Sequence, residues 1–134
     1  MEYKLIAGTY GPESNGTTIQ DYCTHSSNFN PRTADVATKV IERFKDQFYY
    51  KCLIWLGIFR NGSVWEDRFG NLVPPGLWKP GHPKRTNQRA YIHLNNKDDP
   101  NIQWASTQTY IPYYNDYFIC QRGKLLYIED NVLL

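Results

Sequence analysis

Glu2 to Tyr10 alternates loosely between polar and apolar side chains, which predicts an opening strand. Gly11-Pro12-Glu13-Ser14-Asn15-Gly16 reads as a turn, because Gly and Pro punctuate regular structure. Thr17 or Thr18 can cap a short helix through Ile19, Tyr22 and Cys23, and Asn28 to Pro31 ends it. Thr33 is a second N-cap. Behind it Val36, Val40, Ile41, Phe44 and Phe48 fall on one stripe at the helical period, which predicts a second helix. Cys52 to Arg60 is strongly apolar and predicts a strand. Arg60-Asn61-Gly62-Ser63 follows as a turn, with Asn61-Gly62 as the expected hairpin pair and Val64 to Asp67 as the returning strand.

The pattern then breaks. Arg68 to Arg89 holds Pro74, Pro75, Pro80 and Pro83, which argues against a helix or a central strand. A loop of this length inside one domain is uncommon and usually functional or disordered. Short strands are predicted at Ala90–Leu94, Ile102–Ala105 and Tyr117–Cys120. The order implies an α+β fold with two helices packed on antiparallel sheet.

The 134 residues suit one domain, with a core from about residue 3 to 122 and a short tail over 123–134. Aromatic residues make up 16 %, which is incompatible with a disordered chain. No apolar run is long enough to cross a membrane as a helix. The first residues carry no apolar stretch of the signal-peptide kind, so either the protein is cytosolic or a signal has been removed.

The net charge of +2 hides a partition. Arg68, Lys79, Lys84, Arg85, Arg89 and Lys97 form a stretch of six basic residues without an acid, leaving nine basic against thirteen acidic residues elsewhere. Such an excess attracts an anionic partner, unless it is simply solvated loop. Nucleic acid is a poor match at a pI of 8.4.

Three cysteines, Cys23, Cys52 and Cys120, allow one disulfide and one free thiol. A bridge between Cys23 and Cys120 would tie the early chain to the late chain and contribute roughly 4–5 kcal/mol in the chain-entropy picture, less any strain. No Cys-x-x-Cys pair is present, and His25, His82 and His93 are scattered, so no zinc site is predicted. Asn15-Gly16-Thr17 and Asn61-Gly62-Ser63 are N-glycosylation sequons, with Asn15 and Asn61 as acceptors among turn residues.

Taken in order, the segments resemble a C-type lectin-like domain. The matching pieces are Trp55-Leu56-Gly57-Ile58, Trp65-Glu66-Asp67, Trp78-Lys79-Pro80-Gly81-His82-Pro83, Tyr91-Ile92-His93-Leu94, Trp104 and Phe118-Ile119-Cys120. The resemblance as a whole extends over about Tyr3 to Arg122. The resemblance implies two helices on antiparallel sheets with a long irregular loop. It pairs Cys23 with Cys120 and leaves Cys52 as a buried free thiol. It also implies a non-catalytic, extracellular recognition module, secreted or part of an ectodomain.

The departures from the family pattern concern calcium. Members that bind sugar through calcium carry Glu-Pro-Asn or Gln-Pro-Asp in the long loop and an Asn-Asp pair after the last-but-one Trp. Here the triplet is His82-Pro83-Lys84 and the pair is Ala105-Ser106. A hard cation needs six to eight oxygens with carboxylates among them, so no calcium is expected at that place and no other cofactor is implied. The second family disulfide is also missing, since Tyr91 stands where its first cysteine would be.

The expected ligand contacts are Lys79, His82, Lys84, Arg85, Asn87 and Arg89, presented to a protein or an acidic glycan. Trp55 and Trp104 are expected in the core, as are Trp65 and Trp78. Asn95-Asn96-Lys97-Asp98-Asp99 lacks the glycine and final glutamate of an EF-hand loop and reads as a turn. The competing function is a small thiol-dependent hydrolase with Cys52 as nucleophile and His93 as base, which also needs a third, orienting group. A purely structural domain of a longer extracellular protein is the other alternative.

Overall fold

The computed structural model describes residues 2–8, 23, 27–48, 51–67, 69–74, 76–96, 98–99, 102–108, 111 and 114–122. The helix expected from Thr17 to Tyr22, Asn15, Arg68, Lys97 and the tail over 123–134 lie outside the described residues.

Among the described residues seven strands form one sheet: β1 Glu2–Gly8, β2 Ser27–Asn28, β3 Cys52–Asn61, β4 Val64–Glu66, β5 Arg89–Leu94, β6 Trp104–Thr107 and β7 Asn115–Arg122. Helix α1 spans Ala34–Phe44 and runs into a 3-10 turn over Lys45–Gln47. The main path across the sheet is β1-β7-β3-β5-β6, with β2 paired to β7 and β4 paired to β3. The architecture is therefore α+β, as expected.

Its pairing differs in one respect. β3 and β7 run parallel, with Cys52 opposite Asn115 and Trp55 opposite Phe118. The other strand pairs among the described residues are antiparallel. A parallel pair needs a long crossover connection, and here β4, β5 and β6 are spent in making it.

The continuous apolar run of β3 follows from its central position. Cys52, Ile54, Leu56 and Ile58 enter the main core, whereas Leu53 and Trp55 enter a smaller cluster with Phe118. Both faces of the strand are covered, so no polar alternation survives. Helix α1 closes the main core with Ala37, Val40 and Ile41. It begins where Thr33 Oγ1 accepts a hydrogen bond from Val36 N at 3.1 Å. It ends four residues before Phe48, which is nevertheless buried and meets Tyr117 edge-on at 4.9 Å.

Trp55 and Trp104 are fully buried, and Trp65 is nearly so. Trp78 is half-buried with its ring 5.0 Å from that of Trp65. Trp55 Nε1 donates to Asp116 Oδ1 at 2.9 Å, which satisfies an indole N–H with no access to water. Cys23 and Cys120 form the disulfide, closing 97 residues of sequence, and Cys52 is free and buried.

Two boundaries move from their expected places. The hairpin register sets Asn61 opposite Val64, so the two loop residues are Gly62 and Ser63, one step later than Asn61-Gly62. Gly62 supplies the positive φ of 65° that the first loop residue needs. Strand β6 starts at Trp104, two residues later than expected, because its partners are Arg89 to Ile92 of β5.

Candidate functional site

The long loop is organised in three steps. Asp67 fixes its start. Oδ1 of Asp67 accepts from Phe69 N and Asn71 N, each at 2.9 Å, and Oδ2 accepts from Asn71 Nδ2 at 3.0 Å and Asn30 Nδ2 at 3.1 Å. Burial works against the charge on Asp67, but these donors outweigh it and hold the carboxyl below its ordinary range.

The middle of the loop is laced to β6. Trp104 N donates to Leu77 O at 3.0 Å and Lys79 N donates to Trp104 O at 2.9 Å. Lys79-Pro80-Gly81-His82 then turns, with His82 N donating to Lys79 O at 3.0 Å. Pro80 presets the first central residue, and Gly81 takes the positive φ of 84° at the second. A second turn, Lys84-Arg85-Thr86-Asn87, closes through Asn87 N to Lys84 O at 3.1 Å. The segment returns to the sheet where Gln88 N donates to Thr107 O at 3.1 Å.

Between the two turns lies a hub. Ser106, 4 % exposed, accepts at Oγ from Lys84 N at 2.8 Å and from Asn87 Nδ2 at 3.0 Å. The same Oγ is 3.0 Å from His82 Nδ1, and Ser106 N donates to that Nδ1 at 2.9 Å. A ring nitrogen that accepts from a backbone N–H carries no proton, so this pattern belongs to the neutral imidazole. Burial, and then the charges of Lys79 and Lys84, push His82 below its ordinary value.

The expected ligand contacts therefore divide. Lys84 and Arg85 are exposed, and among the described residues no carboxylate pairs with either. Lys79 and Arg89 are half-buried, and Arg89 Nη1 donates to Gln88 O at 3.3 Å. His82 faces inward through Nδ1. Asn87 is buried, and its amide donates to Ser106, because the second turn points that side chain at β6. Ser106 is the residue that the sequence did not single out for a structural role. Its one signal was a hydroxyl in the place of the family's Asn-Asp pair.

The His82-Pro83-Lys84 triplet and the Ala105-Ser106 pair thus come together. His82 contributes a nitrogen, Lys84 a backbone N–H, and Ser106 a hydroxyl whose two lone pairs are already taken. This set does not make the carboxylate-containing oxygen cage of a hard cation. No group of three or more His, Cys, Asp or Glu suited to a metal occurs among the described residues.

The pair weighed as thiol and base is split by the sheet. Cys52 pairs with Leu94 and Leu53 pairs with His93, so Cys52 and His93 lie on opposite faces. Burial, and then the charge of Asp99, push the Cys52 thiol up to about 12. His93 packs edge-on against Tyr114 at 5.2 Å, and its burial holds it below its ordinary value.

The architecture is shared with solved lectins. C-type lectin CEL-I from Cucumaria echinata superposes with a TM-score of 0.65 at 12 % identity, over 88 % of this chain and 86 % of that one. The chain has the C-type lectin-like fold. The same fold relates it to TC14, a C-type lectin from the tunicate Polyandrocarpa misakiensis, with a TM-score of 0.58 at 13 % identity over 91 % of this chain and 98 % of that one. The carbohydrate-recognition domain of the mouse scavenger receptor C-type lectin matches with a TM-score of 0.56 at 18 % identity, over 92 % and 90 % of the two chains. No protein-family model matches the sequence, and no curated protein matches it. Among the described residues no helix is long and apolar enough to cross a membrane.

Proposed function

We propose that the chain is a non-catalytic extracellular recognition module that binds a protein or an acidic glycan through Lys79–Arg89, without calcium at the usual lectin place. The observation that carries this reading is the Ser106 hub. It orders the loop through neutral hydrogen bonds where the resemblance would put an ion, and it leaves Lys84 and Arg85 facing outward. A loop fixed in advance loses less entropy when a partner docks. Arg85 can hold a sulfate or carboxylate with two parallel hydrogen bonds, and Lys84 adds a point charge.

The disulfide supports an oxidising compartment. The separation of Cys52 from His93, with a thiol that stays protonated, supports a module without a nucleophile. A glycan array run with and without chelator, beside a panel of cell-surface proteins, tests the reading. The expected result is binding that chelator leaves unchanged. Binding abolished by chelator would overturn it.

A further inference from the structure

Ser106 Oγ has two lone pairs and one hydrogen. Lys84 N and Asn87 Nδ2 fill the lone pairs, and the hydrogen is left to point at His82 Nδ1, 3.0 Å away. Ser106 N–H points at the same nitrogen from 2.9 Å. The cluster fits only a bare Nδ1, whose single lone pair the hydroxyl and the backbone N–H share. The neutral ring then carries its proton on Nε2, so the next proton has only Nδ1 to go to. There it would meet two donors and no acceptor, since the hydroxyl has no lone pair left.

The surroundings offer it no help. Among the described residues the charges that bear on His82 are Lys79 and Lys84, both positive and both on the loop. Strand β6, packed against it, is Trp104-Ala105-Ser106-Thr107 and carries no charge. Asn87 is neutral and committed to Ser106.

We propose that His82 is a proton-controlled clasp: protonation at Nδ1 releases Lys79–Arg89 from Ser106 and loosens the surface that Lys84 and Arg85 present. The consequence for binding rests on the reading of this loop as the recognition surface. The clasp itself does not. A released loop must be ordered again by its partner, so acid weakens recognition even though the ring gains a charge.

Amide exchange of the full chain tests the clasp without a ligand. Protection of the Lys84 and Ser106 N–H groups is measured at about pH 7.5 and about pH 5, either side of the ordinary histidine range, and corrected for the intrinsic pH dependence of exchange. Protection should fall about tenfold, the scale set by losing two hydrogen bonds. Imidazole 15N shifts should show Nδ1 bare at the higher pH and should titrate together with the loss of protection. His82→Asn keeps an acceptor near the Nδ1 position without titrating, so its protection should be the same at both pH values. Protection that is unchanged through the titration of His82, or that still falls in the variant, overturns the clasp.

Retention on a sulfated polysaccharide column at the same two pH values tests the consequence. It should drop at the lower pH. A rise despite lost protection would contradict weakened recognition. No retention at either pH, with exchange behaving as stated, would count against the recognition reading and leave the clasp standing.

Discussion

Cys52 and His93 sit on adjacent strands and face opposite sides of the sheet, because Cys52 pairs with Leu94 while His93 pairs with Leu53. No rotamer change brings a thiol and an imidazole together across a packed sheet. With the thiol pushed up to about 12 by burial and then by Asp99, the protonated, unreactive form dominates at about pH 8. An aromatic disulfide reagent should therefore leave Cys52 unmodified in the native protein and titrate one thiol in denaturant. Rapid native labelling would contradict the placement and revive the hydrolase alternative.

Calcium should not stabilise the fold at the His82–Ser106 place. A ligand that binds only the folded state at a hundredfold excess over its Kd contributes about 2.7 kcal/mol, a shift readily seen in thermal unfolding. Ser106, His82 and Lys84 offer no carboxylate, so the expected change in Tm at millimolar calcium is close to none. An upward shift that chelator reverses would mean that another oxygen cluster binds the ion.

Acid should weaken the fold before the carboxylates titrate. His82 and His93 are both held below their ordinary value of 6.5, chiefly by burial. The unfolded chain then takes up protons that the folded chain refuses. Stability is full above about pH 6.5 and falls as the pH drops through the unfolded value, levelling off once the folded-state rings protonate. Urea midpoints at about pH 7.5 and about pH 5.5 check this, with the lower midpoint expected in acid. His82→Asn should shrink the difference. Equal midpoints would contradict the account.

Asp67→Ala should destabilise the chain by about 2–3 kcal/mol. Four donors lose their acceptor, among them Nδ2 of Asn30, whose side chain is 4 % exposed and has no water to turn to. Equilibrium denaturation checks the value. A cost below about 0.5 kcal/mol would mean that the start of the loop is held by other contacts.

What could be read from the sequence was what depends on near neighbours. The stripe from Val36 to Phe44 and the cap at Thr33 define α1, and the apolar run from Cys52 to Ile58 marks a strand. The Cys23–Cys120 bridge was legible only through the family resemblance. What could not be read depends on register between distant segments. The parallel pairing of β3 with β7, the later start of β6 and the inward turn of Asn87 are fixed by partners far along the chain. Ser106 reaches His82, Lys84 and Asn87 across 19–24 residues, so a lone serine after Trp104-Ala105 carried no local sign of a hub.

The central claim is that Lys79–Arg89 recognises anionic groups through its outward charges. Lys84→Ser with Arg85→Ser tests it most directly, leaving Arg89 in place because that residue belongs to β5 and is bonded to Gln88 O. Retention on a sulfated polysaccharide column is measured against ionic strength at neutral pH. The native chain should be retained at low salt and released as salt rises, since exposed contacts are screened over about 8 Å at physiological ionic strength. The double variant should elute at clearly lower salt with its circular dichroism unchanged. Identical elution of the two, with the fold intact, would show that these charges are only solvated surface and that the partner docks elsewhere.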